Sequence, residues 1–133
     1  MGKKKNIDMN NYGIGIDIVC RYRIKKIFKK FGNKLVNRIL SKNEVILFDK
    51  SVDKISFISK RFAVKESISK SLGTGIKNNI KFKDFELLNN NIGKPIIHFL
   101  DHMKNIIFLL KKKYIYVSIT DEKKYILAIT ILK

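Results

Sequence analysis

The chain has 133 residues, a net charge of +18 at pH 7, and 45% hydrophobic and 30% charged side chains. This length predicts one domain with an ordinary hydrophobic core. The sequence has no apolar run near the roughly 18 residues that a membrane-spanning helix needs, so no membrane partner is expected. The single cysteine, Cys20, cannot form an internal disulfide, which is typical of proteins of the reducing cytoplasm.

The high positive charge attracts polyanions, which include nucleic acids and acidic proteins. Lysine supplies 25 of the 29 cations and arginine only four. Base readout and bidentate phosphate contacts favour arginine, so the lysine excess does not by itself indicate nucleic-acid binding. A lysine-rich nucleic-acid-binding domain without catalysis remains the alternative interpretation, and binding that falls steeply with salt would favour it.

The N-terminal residues 1–11 are predicted to form a basic tail, and a strand follows at Tyr12–Val19. Along this strand two glycines and Asp17 share one face, because successive side chains alternate. The glycines allow another backbone or a helix to approach closely. Asp17 stands near the end of the strand, where it is either the N-cap of the next helix or a ligand.

The rest of the pattern predicts an α+β fold rather than a series of βαβ units. Ser41 and Glu44 form a capping box at the start of a helix that runs to about Asp49. Helices are also expected over residues 18–31, 33–40, 54–72 and 100–113, and strands over 82–88, 94–99, 114–120 and 125–132. The expected architecture is an antiparallel sheet packed with a long central helix, in a single domain of residues 12–133.

The central helix carries charges within its apolar arc. Arg61 and Lys65 lie among the apolar positions, where an unpaired charge is costly. Glu66 and Lys70 follow on the edge of the arc, one turn apart. The structural interpretation is a surface ion pair of Glu66 and Lys70. Arg61 and Lys65 would then bury the aliphatic parts of their side chains and expose their charged groups to water. The alternative is a site for a metal-bound polyphosphate. Gly73 is expected to end the helix in a left-handed cap.

Three motifs carry a resemblance to a known family. They are Gly13-Ile14-Gly15-Ile16-Asp17-Ile18-Val19, Arg38-Ile39-Leu40-Ser41-x-x-Glu44, and Lys60-Arg61-Phe62-Ala63-Val64-Lys65-Glu66-Ser67-x-x-Lys70-x-x-Gly73-Thr74-Gly75-Ile76. Together they resemble the small bacterial holo-acyl-carrier-protein synthases, which are 4′-phosphopantetheinyl transferases. The resemblance spans about residues 12–132.

The resemblance implies a 4′-phosphopantetheinyl transferase-like fold and a Mg²⁺-dependent reaction. The phosphopantetheine arm of coenzyme A would pass to a serine of apo acyl carrier protein, as in fatty acid biosynthesis, with release of adenosine 3′,5′-bisphosphate. It also implies a cytoplasmic homotrimer with sites at subunit interfaces, and nucleic acid is not an expected partner. A non-catalytic member of the family is a third interpretation, but the retained carboxylates and Lys70 argue against it.

The resemblance also assigns residues to roles. Asp17 and Glu66 match the metal-binding carboxylates, and Glu66 and Lys70 match the catalytic residues. The implied coenzyme-binding residues are Lys65, Lys70, Gly73, Thr74 and Gly75, and the implied acyl-carrier-protein docking residues are Arg23, Lys34 and Arg38. Many family members have histidine where this chain has Asp121, so no coenzyme contact is carried over to Asp121.

Overall fold

The computed structural model describes residues 12–73 and 80–133. The predicted basic tail, Thr74 and Gly75 lie outside this range. The strands are Gly13–Cys20 (β1), Phe85–Asn89 (β2), Pro95–Phe99 (β3), Ile115–Asp121 (β4) and Tyr125–Leu132 (β5). The helices are Arg21–Phe31 (α1), Asn33–Ile39 (α2), Lys42–Lys50 (α3), Lys54–Ser71 (α4) and Asp101–Leu109 (α5).

The strands form two antiparallel sheets, which confirms the predicted α+β class. One sheet has the order β1-β5-β4, and the other pairs β2 with β3. The first and last strands of the chain are therefore neighbours, with Gly13 opposite Leu132 and Cys20 opposite Tyr125. No helix in the described part of the chain is long and apolar enough to span a membrane.

Helix α4 crosses directly over β1 because glycines leave room for its backbone. A Cβ atom built on Gly13 would lie 2.0 Å from the Ser71 carbonyl oxygen, and one on Gly15 would lie 1.7 Å from the Ser67 carbonyl oxygen. The predicted close approach at this glycine face is thus confirmed. Helix α4 also contacts β5 here: Thr130, the strand partner of Gly15, brings its Oγ1 to 2.6 Å from Ser67 Oγ.

We expect Gly15→Ala to lower the free energy of unfolding by about 3 kcal/mol, because the added methyl group would overlap the backbone of α4. Urea unfolding of the two proteins measures this difference. Gly32→Ala is the control, since its Cβ would meet no atom within 4 Å and would suffer only from a φ of +50°. That variant should lose about 1 kcal/mol, and a smaller loss at Gly15 than at Gly32 would contradict the packing argument.

Several element boundaries differ from the predicted ones. Strand β1 continues to Cys20 and displaces the first predicted turn of helix, since its pairing with β5 continues as far as Cys20. The N-cap of α1 is therefore Cys20, so the capping interpretation of Asp17 is wrong. Residues Phe82–Asp84 form a 3-10 turn before β2 rather than part of the strand. Helix α5 ends at Leu109, earlier than predicted.

Two local predictions about helix ends are confirmed. The Ser41 hydroxyl accepts a hydrogen bond from the Glu44 amide at 3.2 Å, and the Glu44 carboxylate accepts one from the Ser41 amide at 2.9 Å. This is the reciprocal capping box at the start of α3. After α4, Gly73 has a φ of +76°, the left-handed conformation expected of a glycine past a helix C-terminus.

Candidate active site

The contact between β1 and α4 brings the two predicted metal-binding carboxylates together. Asp17 lies on the same face of β1 as the two glycines and extends toward α4 from the level next to Gly15. Glu66 lies on α4, one residue before Ser67, whose carbonyl oxygen faces Gly15. Partial burial raises the pKa of Glu66, and the negative charge of Asp17 nearby raises it further. Because the glycines let α4 approach β1 closely, Asp17 and Glu66 lie near each other although they are far apart in the sequence.

Lys70 joins the same cluster from the next turn of α4. Its ammonium donates to the Asp17 carboxylate at 3.1 Å and to the carbonyl oxygen of Ile16 at 2.8 Å. About half of the Lys70 side chain remains exposed. The expected ion pair between Glu66 and Lys70 is therefore wrong: within the described residues Lys70 pairs directly with Asp17 of β1.

The electrostatics of Glu66 differ from those of a surface carboxylate. Partial burial is the main cause that raises its pKa, the charge of Asp17 adds to this effect, and Lys70 opposes it. Within residues 12–73 and 80–133, no hydrogen bond to the Glu66 carboxylate forms. A carboxylate with a raised pKa and no donor is able either to accept a proton or to bind a cation.

The donor set here suits a hard divalent cation. Two carboxylates converge, and in the described part of the chain no group of three or more His, Cys, Asp or Glu side chains forms a fuller cage. Mg²⁺ is typically bound in this way, by one or two carboxylates with water and substrate phosphate oxygens as its remaining ligands. Asp17 and Glu66 therefore fit the metal that the sequence predicts.

Lys65 faces the interior, and its burial does not fit the expected role in coenzyme binding. Its side chain is 0% exposed, and its ammonium lies 2.5 Å from the Glu44 carboxylate and 2.6 Å from the carbonyl oxygen of Ile39. Burial lowers the Lys65 pKa, whereas Glu44 raises it. We therefore leave Lys65 out of the coenzyme site.

Arg61 belongs to the same buried network. Its guanidinium stacks 3.4 Å from the centre of the Phe57 ring and donates to the Leu87 carbonyl oxygen. Its Nε lies 3.7 Å from Glu44, and burial lowers its pKa to about 10. Glu44 thus neutralises two cations of α4, a role that sequence reasoning missed because it assigned Glu44 only to a capping box.

The three predicted docking residues are exposed on the surface formed by α1 and α2. Arg23 borders a groove of about 220 Å³, and Lys34 and Arg38 border a second one of about 180 Å³. Ile27 and Leu35 line both grooves, so the grooves are neighbours. The result is a shallow apolar surface with cations along its edges, which we call the α1–α2 surface.

Asp121 lies at the end of β4, where its carboxylate forms an ion pair of 3.0 Å with Lys60 of α4. The two histidines of the chain also lie apart from the carboxylate cluster. His98 pairs with the buried Glu86, and His102 pairs with Asp84. These contacts link elements of the fold and add no further side chain to the cluster of Asp17, Glu66 and Lys70.

Comparisons with known proteins identify the family of this chain. Residues 13–130 match the model of the 4′-phosphopantetheinyl transferase superfamily. The chain is 48% identical over 125 residues to a holo-[acyl-carrier-protein] synthase from Buchnera aphidicola subsp. Schizaphis graminum, which covers 94% of this chain and 99% of the relative. A relative of the same name from Pelagibacter ubique is 41% identical over 94% of this chain and 98% of its own length.

Solved structures agree as well. The holo-[acyl-carrier-protein] synthase of Neisseria meningitidis superposes with a TM-score of 0.88 at 30% identity, over 91% of this chain and 97% of that one. The Helicobacter pylori enzyme in complex with coenzyme A gives 0.79 at 32% identity, over 90% and 99%. This chain therefore belongs to the 4′-phosphopantetheinyl transferase superfamily, as an enzyme of the holo-[acyl-carrier-protein] synthase family.

Proposed function

We propose that this enzyme transfers the 4′-phosphopantetheine arm of coenzyme A to a serine of apo acyl carrier protein in a Mg²⁺-dependent reaction. The observation that carries the proposal is the convergence of Asp17, Glu66 and Lys70 where β1 meets α4. Relatives named for this activity and a related structure in complex with coenzyme A support it. We assign the reaction to fatty acid biosynthesis in the cytoplasm, where a free cysteine such as Cys20 stays reduced.

Each residue of the cluster has a role that follows from its surroundings. Asp17 and Glu66 would hold Mg²⁺, which supplies positive charge to the pyrophosphate of coenzyme A. Glu66 is the group we assign to accept the proton of the serine hydroxyl, directly or through one water. Lys70 would donate from its half-exposed ammonium to the phosphate whose negative charge grows during transfer.

The turn after α4 is the proposed site for the nucleotide end of coenzyme A. Gly73 has a φ of +76°, and among the described residues a Cβ built on it would meet no atom within 4 Å. Backbone amides of a glycine turn suit phosphate oxygens. We propose that Gly73, Thr74 and Gly75 hold the nucleotide together with Lys70.

The α1–α2 surface is the proposed docking site for acyl carrier protein. An acidic carrier would meet the cations of Arg23, Lys34 and Arg38, while the apolar floor provides contact area. Rim charges of this kind act mainly on the rate and salt dependence of association.

We expect Arg23→Gln to raise the KM for acyl carrier protein about five- to tenfold and to leave kcat nearly unchanged, because one charge contact at an interface rim is lost. Steady-state kinetics with varied carrier measure this split. Lys123→Gln, which removes an exposed charge from the turn between β4 and β5, is the matched control. If both variants raise KM equally, net charge rather than a docking surface controls association.

We also propose that the enzyme is a homotrimer with its active sites at subunit interfaces. The outward face of β1 supports this, because Ile14, Ile16 and Ile18 are each more than half exposed in the single chain. A contiguous apolar patch of this kind marks a protein contact. Analytical ultracentrifugation should give three times the chain mass of 15.5 kDa, and Ile16→Lys should lower it. A wild-type protein that sediments as a monomer would refute the trimer.

The proposed activity is tested by a mass shift of the substrate protein. After incubation with the enzyme, coenzyme A and Mg²⁺, apo acyl carrier protein should gain about 340 Da, the mass of the phosphopantetheine arm. EDTA should abolish the gain, and a carrier whose acceptor serine is replaced by alanine should show none. No gain with folded enzyme and a competent carrier would reject the proposal, and a salt-dependent RNA titration would then test the nucleic-acid alternative.

A further inference from the structure

The end of α5 presents apolar side chains to solvent next to a run of lysines. Its inward side is well packed, since Met103 is buried and Ile106 and Ile107 contact the core. Phe108 and Leu109, in contrast, are 80% and 76% exposed. These two side chains therefore do not contribute to the core of the chain.

Lysines surround these two apolar side chains. Phe108 and Leu109 line an open cavity of about 450 Å³ together with the side chains of Lys111, Lys112 and Lys113. From His102 to Thr120 the sequence contains no aspartate or glutamate. This stretch therefore contributes lysines and no carboxylate to the surface.

The C-terminus of the chain adds to the same region. The carbonyl oxygen of Lys133 accepts hydrogen bonds from the amides of Lys113 and Tyr114, at 2.6 and 2.9 Å. The ammonium of Lys133 lies 5.4 Å from the centre of the Tyr12 ring. We call Phe108, Leu109, Lys111 and Lys113 the basic apolar end.

We propose that the basic apolar end docks the enzyme reversibly on an anionic phospholipid surface. Phe108 and Leu109 would enter the boundary between headgroups and acyl chains. Lys111 and Lys113 would face the lipid phosphates. A surface contact needs no membrane-spanning segment, so it is compatible with the absence of such a helix among the described residues.

Charge favours this partner over a second copy of the chain. Two copies joined through this end would bring at least four lysines together, Lys111 and Lys113 of each copy. An acidic protein would also complement the lysines. The two exposed apolar side chains beside them favour a lipid interface, where charged headgroups lie next to acyl chains. The anionic bilayer satisfies both features at once.

The test is co-sedimentation of the full-length enzyme with vesicles. Vesicles of phosphatidylglycerol and phosphatidylcholine should bind it, more weakly as salt rises, and vesicles of phosphatidylcholine alone should bind it poorly. Phe108→Ser with Leu109→Ser should lower the partition coefficient at least tenfold. Lys111→Gln with Lys113→Gln should lower it about 30-fold, from the loss of two charges near the membrane.

Matched pairs elsewhere on the surface separate this site from general charge and hydrophobicity. Val52 and Ile92 are exposed apolar residues outside the basic apolar end, and Lys123 and Lys124 form an exposed lysine pair in the β4–β5 turn. Val52→Ser with Ile92→Ser and Lys123→Gln with Lys124→Gln should each leave vesicle binding unchanged. All four double variants should fold, because the replaced side chains are exposed.

Three results would overturn the proposal. The first is binding to neither kind of vesicle. The second is an equal loss of binding in the test and control pairs, which would assign binding to net charge. The third is a change of oligomeric mass or of carrier affinity, rather than of vesicle binding, in the Phe108 and Leu109 variant, which would assign this end to a protein contact. Transfer activity in solution should persist in all variants, so loss of docking is distinguishable from loss of the proposed reaction.

Discussion

Glu66→Gln is expected to lower the rate of phosphopantetheine transfer about 100- to 1,000-fold, because a charged ligand and a proton acceptor are removed together. Asp17→Asn should lose a comparable factor through the metal alone. The measurement is single-turnover modification of the carrier, with saturating coenzyme A. Full activity of either variant would remove that residue from the site.

The stability of the Glu66 variant shows whether such a loss is chemical or structural. The Glu66 pKa is higher in the folded protein than in the unfolded chain. Stability therefore falls as the pH rises from the unfolded-state pKa through the folded-state pKa, because the folded protein disfavours the ionised carboxylate. Without divalent metal, Glu66→Gln should therefore melt at or slightly above the wild-type temperature at pH 7. This advantage should vanish below about pH 4, where the Glu66 carboxyl is protonated in both the folded and the unfolded chain. A variant that melts well below the wild type would indicate misfolding instead.

Glu44→Gln is expected to lower the free energy of unfolding by about 3–5 kcal/mol, although Glu44 is not part of the proposed active site. The Glu44 carboxylate balances the ammonium of Lys65 and accepts hydrogen bonds from the amides of Ser41 and Leu87. Burial lowers the Lys65 pKa, and the charge of Glu44 is the main effect that opposes this. In Glu44→Gln the Lys65 ammonium would therefore be buried without a compensating charge. The melting temperature should fall by more than about 10 °C, measured by calorimetry.

The double variant Glu44→Gln with Lys65→Met isolates the pair. A buried charge left without its partner is the main cost, so removing both charges should restore part of the lost stability. Losses that simply add would mean that the two residues do not interact, against the 2.5 Å contact. Phosphopantetheine transfer by the folded double variant should continue, because neither side chain belongs to the proposed site.

The fold was largely predictable because its signals are local. The capping box of Ser41 and Glu44, the left-handed Gly73 and the alternating strands are each written within a few residues of sequence. The end of β1 was not predictable in this way. Its last residues follow a helix-compatible pattern, and only pairing with β5, more than 100 residues later, keeps them extended.

The candidate site was predictable in part, for a related reason. The glycine face of β1 indicated a close neighbour, and the resemblance supplied the roles of Asp17 and Glu66. The burial of Lys65 was not visible, because its partner Glu44 lies 21 residues away in another helix. A charge within an apolar arc indicates that a partner is needed, but the sequence alone does not say which carboxylate provides it.

The most direct test of the account is the location of the metal. Crystals grown with coenzyme A and Mn²⁺ in place of Mg²⁺ should show an anomalous peak between the carboxylates of Asp17 and Glu66. The same peak should be missing from Glu66→Gln crystals. A metal bound elsewhere in the wild type, or one that persists unchanged in Glu66→Gln, would contradict the claim that these two carboxylates form the catalytic centre.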